Sequence, residues 1–283
     1  MRNRSYSHLQ KIKKLISVCI ALMKFRQYSM IPDATLTLET LISIEKELGV
    51  VSSLLFYTFP ENHISEFDCL YSINDTCRFR KKRMKIHEMM KQLYSEGFDI
   101  GLHGSYSTAE NKILMIQQKK TIERFLGFPI ISTRQHWLNW NITKTPMIQQ
   151  EAGILVDSTV GFNRNVGFRK GTGLPHNQYD NLNNRELPLL EIPMVIQDGA
   201  LFGNNALEYN NDLAKKSIIT ILNRIINVEG CITFSFHPNY FYLDNYRELY
   251  RWMIEYCLEH GAWATSLKEM HNWWEKREKE LGF

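Results

Sequence analysis

The chain has 283 residues, of which 44% are apolar and 12% aromatic, and it carries a net charge of +4. That content suffices for one large core, and a charge this small and this localised argues against a nucleic-acid-binding protein. Five cysteines (Cys19, Cys69, Cys77, Cys231 and Cys257) with no C-x-x-C spacing exclude a zinc ribbon and a secreted disulfide scaffold; they fit a reducing compartment, with the cytoplasm as the default.

In chain order, basic residues precede Leu15–Met23, an apolar run too short to span a bilayer and followed by no small-x-small cleavage site. Leu9, Ile12, Leu15, Ile16, Cys19, Ile20 and Met23 recur at helical spacing, which predicts an N-terminal amphipathic helix within 1–30 packed on a core. A helix over 34–48, ended by Gly49, leads into a strand at 50–57. Residues 60–80 show no period and read as a long loop, and the basic run Arg78–Arg83 at its end reads as a solvated loop or helix face. Such a run is also where an anionic substrate, a nucleic acid or a lipid would touch, nucleic acid being the minor option for want of interleaved aromatics beyond Phe79. Helices near 81–96 and 110–126, ended by Gly97 and Gly127, frame a strand that runs to His103. A third strand covers 129–136, and a helix near 144–152 ending at Gly153 precedes a fourth at 154–157. Residues 191–196 and 231–236 read as a fifth and a sixth strand, with a helix near 210–227 between them. A helix near 244–259 and a Trp-rich terminal helix close the chain. Repeated strand–helix units of this length predict a parallel sheet with right-handed crossovers, in one α/β domain over 1–283 and with a barrel as the expected closure.

Polar residues collect just past the apolar runs. His103, Arg134, His136, Asp157 and His237 each fall there, at the sheet edge where α/β proteins bind ligands. Imidazoles suit a zinc-type metal, which needs three protein ligands and an open position for water. Arg134 and His136, two apart on an extended segment, point to the same side. The competing structural reading pairs Arg134 with a core carboxylate such as Asp157 and leaves His136 capping a loop.

Gly101-Leu-His-Gly-Ser-Tyr106, Thr133-Arg-Gln-His-Trp-Leu138, Val156-Asp-Ser-Thr-Val-Gly-Phe162, Val166-Gly-Phe-Arg-Lys-Gly171 and Glu191-Ile-Pro-Met194 occur in that order. Together they resemble the polysaccharide deacetylase-like family, in the branch associated with O-antigen and surface-polysaccharide loci. Trp263-Ala-Thr-Ser-Leu267 followed by Trp273-Trp274 is similar to the end of the chitooligosaccharide deacetylase homology domain. The resemblance covers residues 34–275. It implies a distorted (β/α) barrel, a divalent metal such as zinc, and hydrolysis of N-acetyl or O-acetyl groups on a sugar of a surface polysaccharide. The implied partner is an acetylated sugar, oligosaccharide or sugar nucleotide.

Carried over position by position, the resemblance makes His103 a metal ligand and His237 the general acid. Arg134 matches the arginine that orients a catalytic Asp. Tyr106, Trp137 and Arg169 suit substrate contacts, since aromatic faces stack on pyranose rings and Arg binds a sugar's anionic group, and Asp157 is grouped with them; the alternative for each is packing or an internal ion pair. Two departures accompany these matches. The family's first strand ends in a paired-Asp motif, and no such pair precedes Ala34; Asp33 follows a Pro and substitutes poorly. The usual second metal His is Ser107 in this chain, which leaves His136 as the replacement by position. The expected fold is therefore a barrel without its first strand, from a truncated reading frame or a degenerate homologue. Loss of the general base alone costs about 10²–10⁴-fold in rate. The alternative functions are an inactive sugar-binding or scaffold protein and a metal-dependent amidohydrolase acting on a small cyclic amide.

Overall fold

A computed structural model describes residues 34–58, 67–69 and 71–282. The expected N-terminal helix and Asp33 lie outside the described residues. The chain opens with α1 (Ala34–Glu47), which delivers β1 (Ser53–Phe56). A hairpin of β2 (Thr76–Phe79) and β3 (Lys82–Lys85) comes next, then α2 (Ile86–Ser95) and β4 (Asp99–Gly104). α3 (Lys112–Leu126), β5 (Ser132–Gln135), α4 (Thr145–Glu151) and β6 (Val156–Asp157) continue the alternation. β7 (His176–Asp180) and β8 (Arg185–Glu191) form a second hairpin, followed by β9 (Met194–Gln197) and the short α5 (Asp198–Phe202). α6 (Asn211–Asn227), β10 (Thr233–Ser235), α7 (Asp244–Glu259) and α8 (Leu267–Leu281) complete the chain.

Helix ends follow local chemistry. Gly97, Gly127 and Gly153 take φ of 97°, 86° and 75° where helices stop, a conformation that costs glycine least. Asn111, Asn210 and Ser266 accept backbone N–H groups in the first turns of α3, α6 and α8. Met90, Leu93, Met115 and Ile122, at most 0% exposed, pack the inner faces of α2 and α3 in one cluster with Ile100 and Leu102 of β4.

The main sheet has the order β1-β4-β5-β6-β8-β7, parallel except for the antiparallel β7 at its edge. β9 and β10 pair in parallel as a separate ladder, joined at Thr233↔Met194. Pro193 lies between the two ladders; without an N–H it cannot extend the ladder of β8 into β9. The parallel α/β class is thus present with eight α-helices among the described residues, but their strands form no closed ladder, so the expected barrel does not appear in them. The segment predicted as one strand over 191–196 is split by this proline into the end of β8 and β9.

The loop expected over 60–80 ends in a strand, β2, and the helix expected over 81–96 starts five residues later, at Ile86. Arg80 and Lys81 make a two-residue reversal with φ of 49° and 64°, the geometry of a hairpin turn whose usual Asn-Gly signature is missing here.

Two packing details bear on later arguments. Gly101 faces inward two residues below His103, and a Cβ there would lie 2.3 Å from Ser132 Oγ and 2.5 Å from Leu55 Cδ2. Glu45 of α1 is fully buried against α7, where the Tyr250 hydroxyl donates to its Oε1. Burial raises the Glu45 carboxyl from 4.5 to about 7, against hydrogen bonds from Tyr250 and Ser52 that pull it down.

Candidate active site at the carboxyl ends of the strands

His103 and Arg134 are direct cross-strand partners on β4 and β5, which places both side chains on one face. Arg134 O lies 3.0 Å from His103 Nδ1 and accepts its proton. That bond fixes the tautomer and leaves Nε2 as a lone-pair donor. His136 follows in a single 3₁₀ turn, and its Nδ1 lies 3.0 Å from His103 Nε2, the ring centroids being 4.8 Å apart. Burial holds the His103 imidazole well below its ordinary value, reinforced by the neighbouring His136, His237 and Arg134, against which a further positive charge is disfavoured. Burial also lowers His136. Both rings are therefore neutral around pH 7.

His237 has the opposite environment. It lies two residues past β10, and its ring Nδ1 lies 2.7 Å from Asp198 Oδ1 while its backbone N–H donates to Asp198 Oδ2 at 2.7 Å. The side chain of Asp198 is fully buried whereas that of His237 is 49% exposed. The Asp198 charge raises the imidazole above its usual value, opposed by desolvation and by Arg134. His237 acts electrostatically on both His103 and His136, so the three rings share one neighbourhood in which two are held neutral and one is favoured as imidazolium.

Arg134 pairs with no carboxylate among the described residues, contrary to the pairing with Asp157. Its Nε donates to Ser158 O at 3.0 Å, Nη2 to Ser158 Oγ at 2.8 Å, and Nη1 to Ser235 Oγ at 2.9 Å. One side chain thus spans from β5 to β10. Desolvation pulls its guanidinium down to about 10, with Asp157, Glu191 and Asp198 acting the other way at longer range.

The four expected sugar contacts divide. Trp137 is 56% exposed beside His136, at φ 56°, with Nε1 donating to Phe67 O at 3.1 Å and its own carbonyl accepting from Asn163 at 2.8 Å. Tyr106 stacks at a tilt on Phe67, centroids 4.8 Å apart, so Phe67, Tyr106 and Trp137 form an aromatic rim. Asp157 does not face this rim. It is 0% exposed, accepts from the Thr159 hydroxyl at 2.6 Å, and is coupled to the buried Glu191. Burial raises both carboxyls, Glu191 the more strongly because the Asp157 charge adds to its burial. Arg169 ties to Gly161 O at 3.1 Å and staples its own loop.

Sequence reasoning missed Asp198, although it falls two residues past the apolar Met194–Ile196 in the same way as the residues it did select. Asp68, which accepts from Tyr106 N at 2.7 Å, and Cys69, whose Sγ lies 3.9 Å from His136 Nδ1, were also missed. They come from the 60–80 segment, where no period gave a signal.

A zinc site needs three protein ligands. Among the described residues no group of three or more His, Cys, Asp or Glu side chains could hold a metal. His103 and His136 supply two nitrogens, so the described donors do not complete such a site. Among the same residues no helix is long and apolar enough to cross a membrane.

No family model matches the sequence, and no curated protein is significantly similar to it. Solved structures do match. A Mycobacterium smegmatis protein described as a polysaccharide deacetylase superposes with a TM-score of 0.62 at 16% identity, covering 87% of this chain and 79% of that one. A Pseudomonas aeruginosa protein of the same description gives a TM-score of 0.56 at 12% identity, covering 87% and 73%. At such identities the likeness is one of architecture, and the chain has the fold of the polysaccharide deacetylase structures.

Proposed function

We propose that the chain is a carbohydrate deacetylase, hydrolysing an acetyl group from an acetylated sugar, oligosaccharide or sugar nucleotide. The observation that carries this reading is the opposed setting of its imidazoles: His237 buttressed by buried Asp198, and the neutral His103–His136 pair within reach of its charge. Titratable groups driven apart in this way divide into a base and an acid. The neutral pair accepts a proton from water as it attacks the acetyl carbonyl, and His237 returns one to the leaving sugar nitrogen or oxygen. Asp198 holds His237 in the tautomer that presents Nε2 to the substrate. Arg134 keeps His103 oriented through its carbonyl. The rim of Phe67, Tyr106 and Trp137 offers flat apolar faces to a pyranose ring.

The fold likeness supports the sugar as substrate class, and the sequence motifs support a surface polysaccharide as its source. His103 and His136 would hold zinc or another divalent ion only with a further ligand, and then in place of acting as the base; elemental analysis tests this, and equal metal content in wild type and His103→Ala would end the assignment. Acetate release from N-acetylated and O-acetylated oligosaccharides, followed enzymatically, tests the activity. The second reading, a sugar-binding homologue without turnover, is favoured by the incomplete ligand set. It predicts saccharide binding with no acetate released by wild type.

A further inference from the structure

Far from the imidazoles, the β2–β3 hairpin concentrates positive charge. Arg80 is tied by its guanidinium to Glu96, three residues before β4 begins, so the hairpin tip lies toward the end of β4 opposite His103. The cross-strand register sets Arg78 directly against Arg83 and Thr76 against Lys85. Like charges directly opposite one another destabilise a ladder. Both turn residues adopt positive φ, a conformation that strains side chains with a Cβ. For Arg80 the bonds to Glu96 and from its backbone N–H to Glu39 Oε1 at 2.7 Å account for the strain. Lys81 and Arg83 have no acidic side chain within 4.0 Å among the described residues.

Arg78, Lys81, Arg83, Thr76 and Cys77 line an open cleft of about 280 Å³. Among the described residues its wall carries three cations and a hydroxyl donor. We propose that this cleft binds the phosphoryl groups of a diphosphate-sized anion, gripped by Lys81 and Arg83 and completed by Arg78 and the Thr76 hydroxyl. Cations on such groups form the strong, charge-assisted class of hydrogen bond. The same chemistry is presented by a soluble phosphorylated metabolite and by a phospholipid headgroup.

Calorimetric titration of the full chain with inorganic pyrophosphate at low ionic strength tests the site. Wild type should bind saturably at one site. Lys81→Gln combined with Arg83→Gln should weaken binding at least about tenfold, roughly the loss of one charge-assisted contact. Lys82→Gln, which removes one charge from the opposite face of the hairpin, should bind within about twofold of wild type, since only the general field changes. Unchanged melting temperatures establish that the variants fold; if the double variant melts early, Lys81→Gln alone takes its place. Sedimentation with phosphatidylcholine vesicles, with and without phosphatidic acid, separates the sources. Capture by the acidic vesicles that is lost in the double variant identifies a headgroup, and pyrophosphate binding without capture identifies a soluble ligand. Absence of both, equal losses in Lys82→Gln and the double variant, or a single-stranded oligonucleotide binding more tightly than pyrophosphate through these same residues would overturn the proposal.

Discussion

Replacing Glu45 by Gln should change how stability depends on pH. In the folded chain this carboxyl is raised from 4.5 to about 7 because it is buried between α1 and α7. The unfolded chain releases the proton near the lower value, so between the two the folded state binds more protons, and stability falls as pH rises. The contribution is fully present below 4.5 and is lost as pH climbs through about 7. At about 1.36 kcal/mol per pH unit, the interval amounts to about 3 kcal/mol, an upper figure for a site that relaxes on ionising. Gln keeps an oxygen to accept from the Tyr250 hydroxyl and has no proton to lose. Urea unfolding of both proteins from pH 4.5 to 8 should show wild type losing about 3 kcal/mol relative to Glu45→Gln, equivalent to about 6–12 °C in Tm at the usual 2–4 °C per kcal/mol. Parallel stability curves across the window would refute the argument.

Asp198→Asn removes the charge that favours the His237 imidazolium; acetate release should drop by about 10²–10⁴-fold, with the surviving pH optimum moved to lower pH and the circular dichroism spectrum unchanged. Arg134→Lys cannot reproduce the bonds to Ser158 and Ser235, and denaturant titration should register a loss of about 1.5–3 kcal/mol. Gly101→Ala places a methyl group against Ser132 and Leu55, and thermal unfolding should report about 1–3 kcal/mol of destabilisation from overpacking. Trp137→Ala should raise KM for an acetylated oligosaccharide severalfold while Tm stays within about 1 °C, because the ring is largely exposed.

Where a single residue type carries an unambiguous backbone preference, the fold was readable in advance. Gly97, Gly127 and Gly153 closed helices as expected, and the apolar runs before His103, Arg134 and His237 became strands. The hairpin at Arg80-Lys81 was hidden because its turn lacks Gly and Asn, and tertiary ties to Glu96 and Glu39 stand in for local propensity. β8 was hidden by Pro188 in its middle, which reads as a strand breaker; the ladder to β7 shifts register nearby, between Asn177 and Tyr179, and β6 pairs only with Leu190 and Glu191. At the candidate site, proximity to strand ends picked out the imidazoles and Arg134, which the structure brings into one neighbourhood. It could not tell an exposed acid from a sealed one, so Asp157 was taken for a substrate contact and Asp198 was passed over.

The interruption at Pro193 has a bearing on how the candidate site is kept in alignment. The imidazole pair rides on one set of backbone rungs and the His237–Asp198 dyad on another, with the Arg134 guanidinium fastened to Ser235 as a crossbeam between them. That side chain thereby bridges the break in the sheet and ties the strand that bears His103's neighbour to the strand that leads to His237.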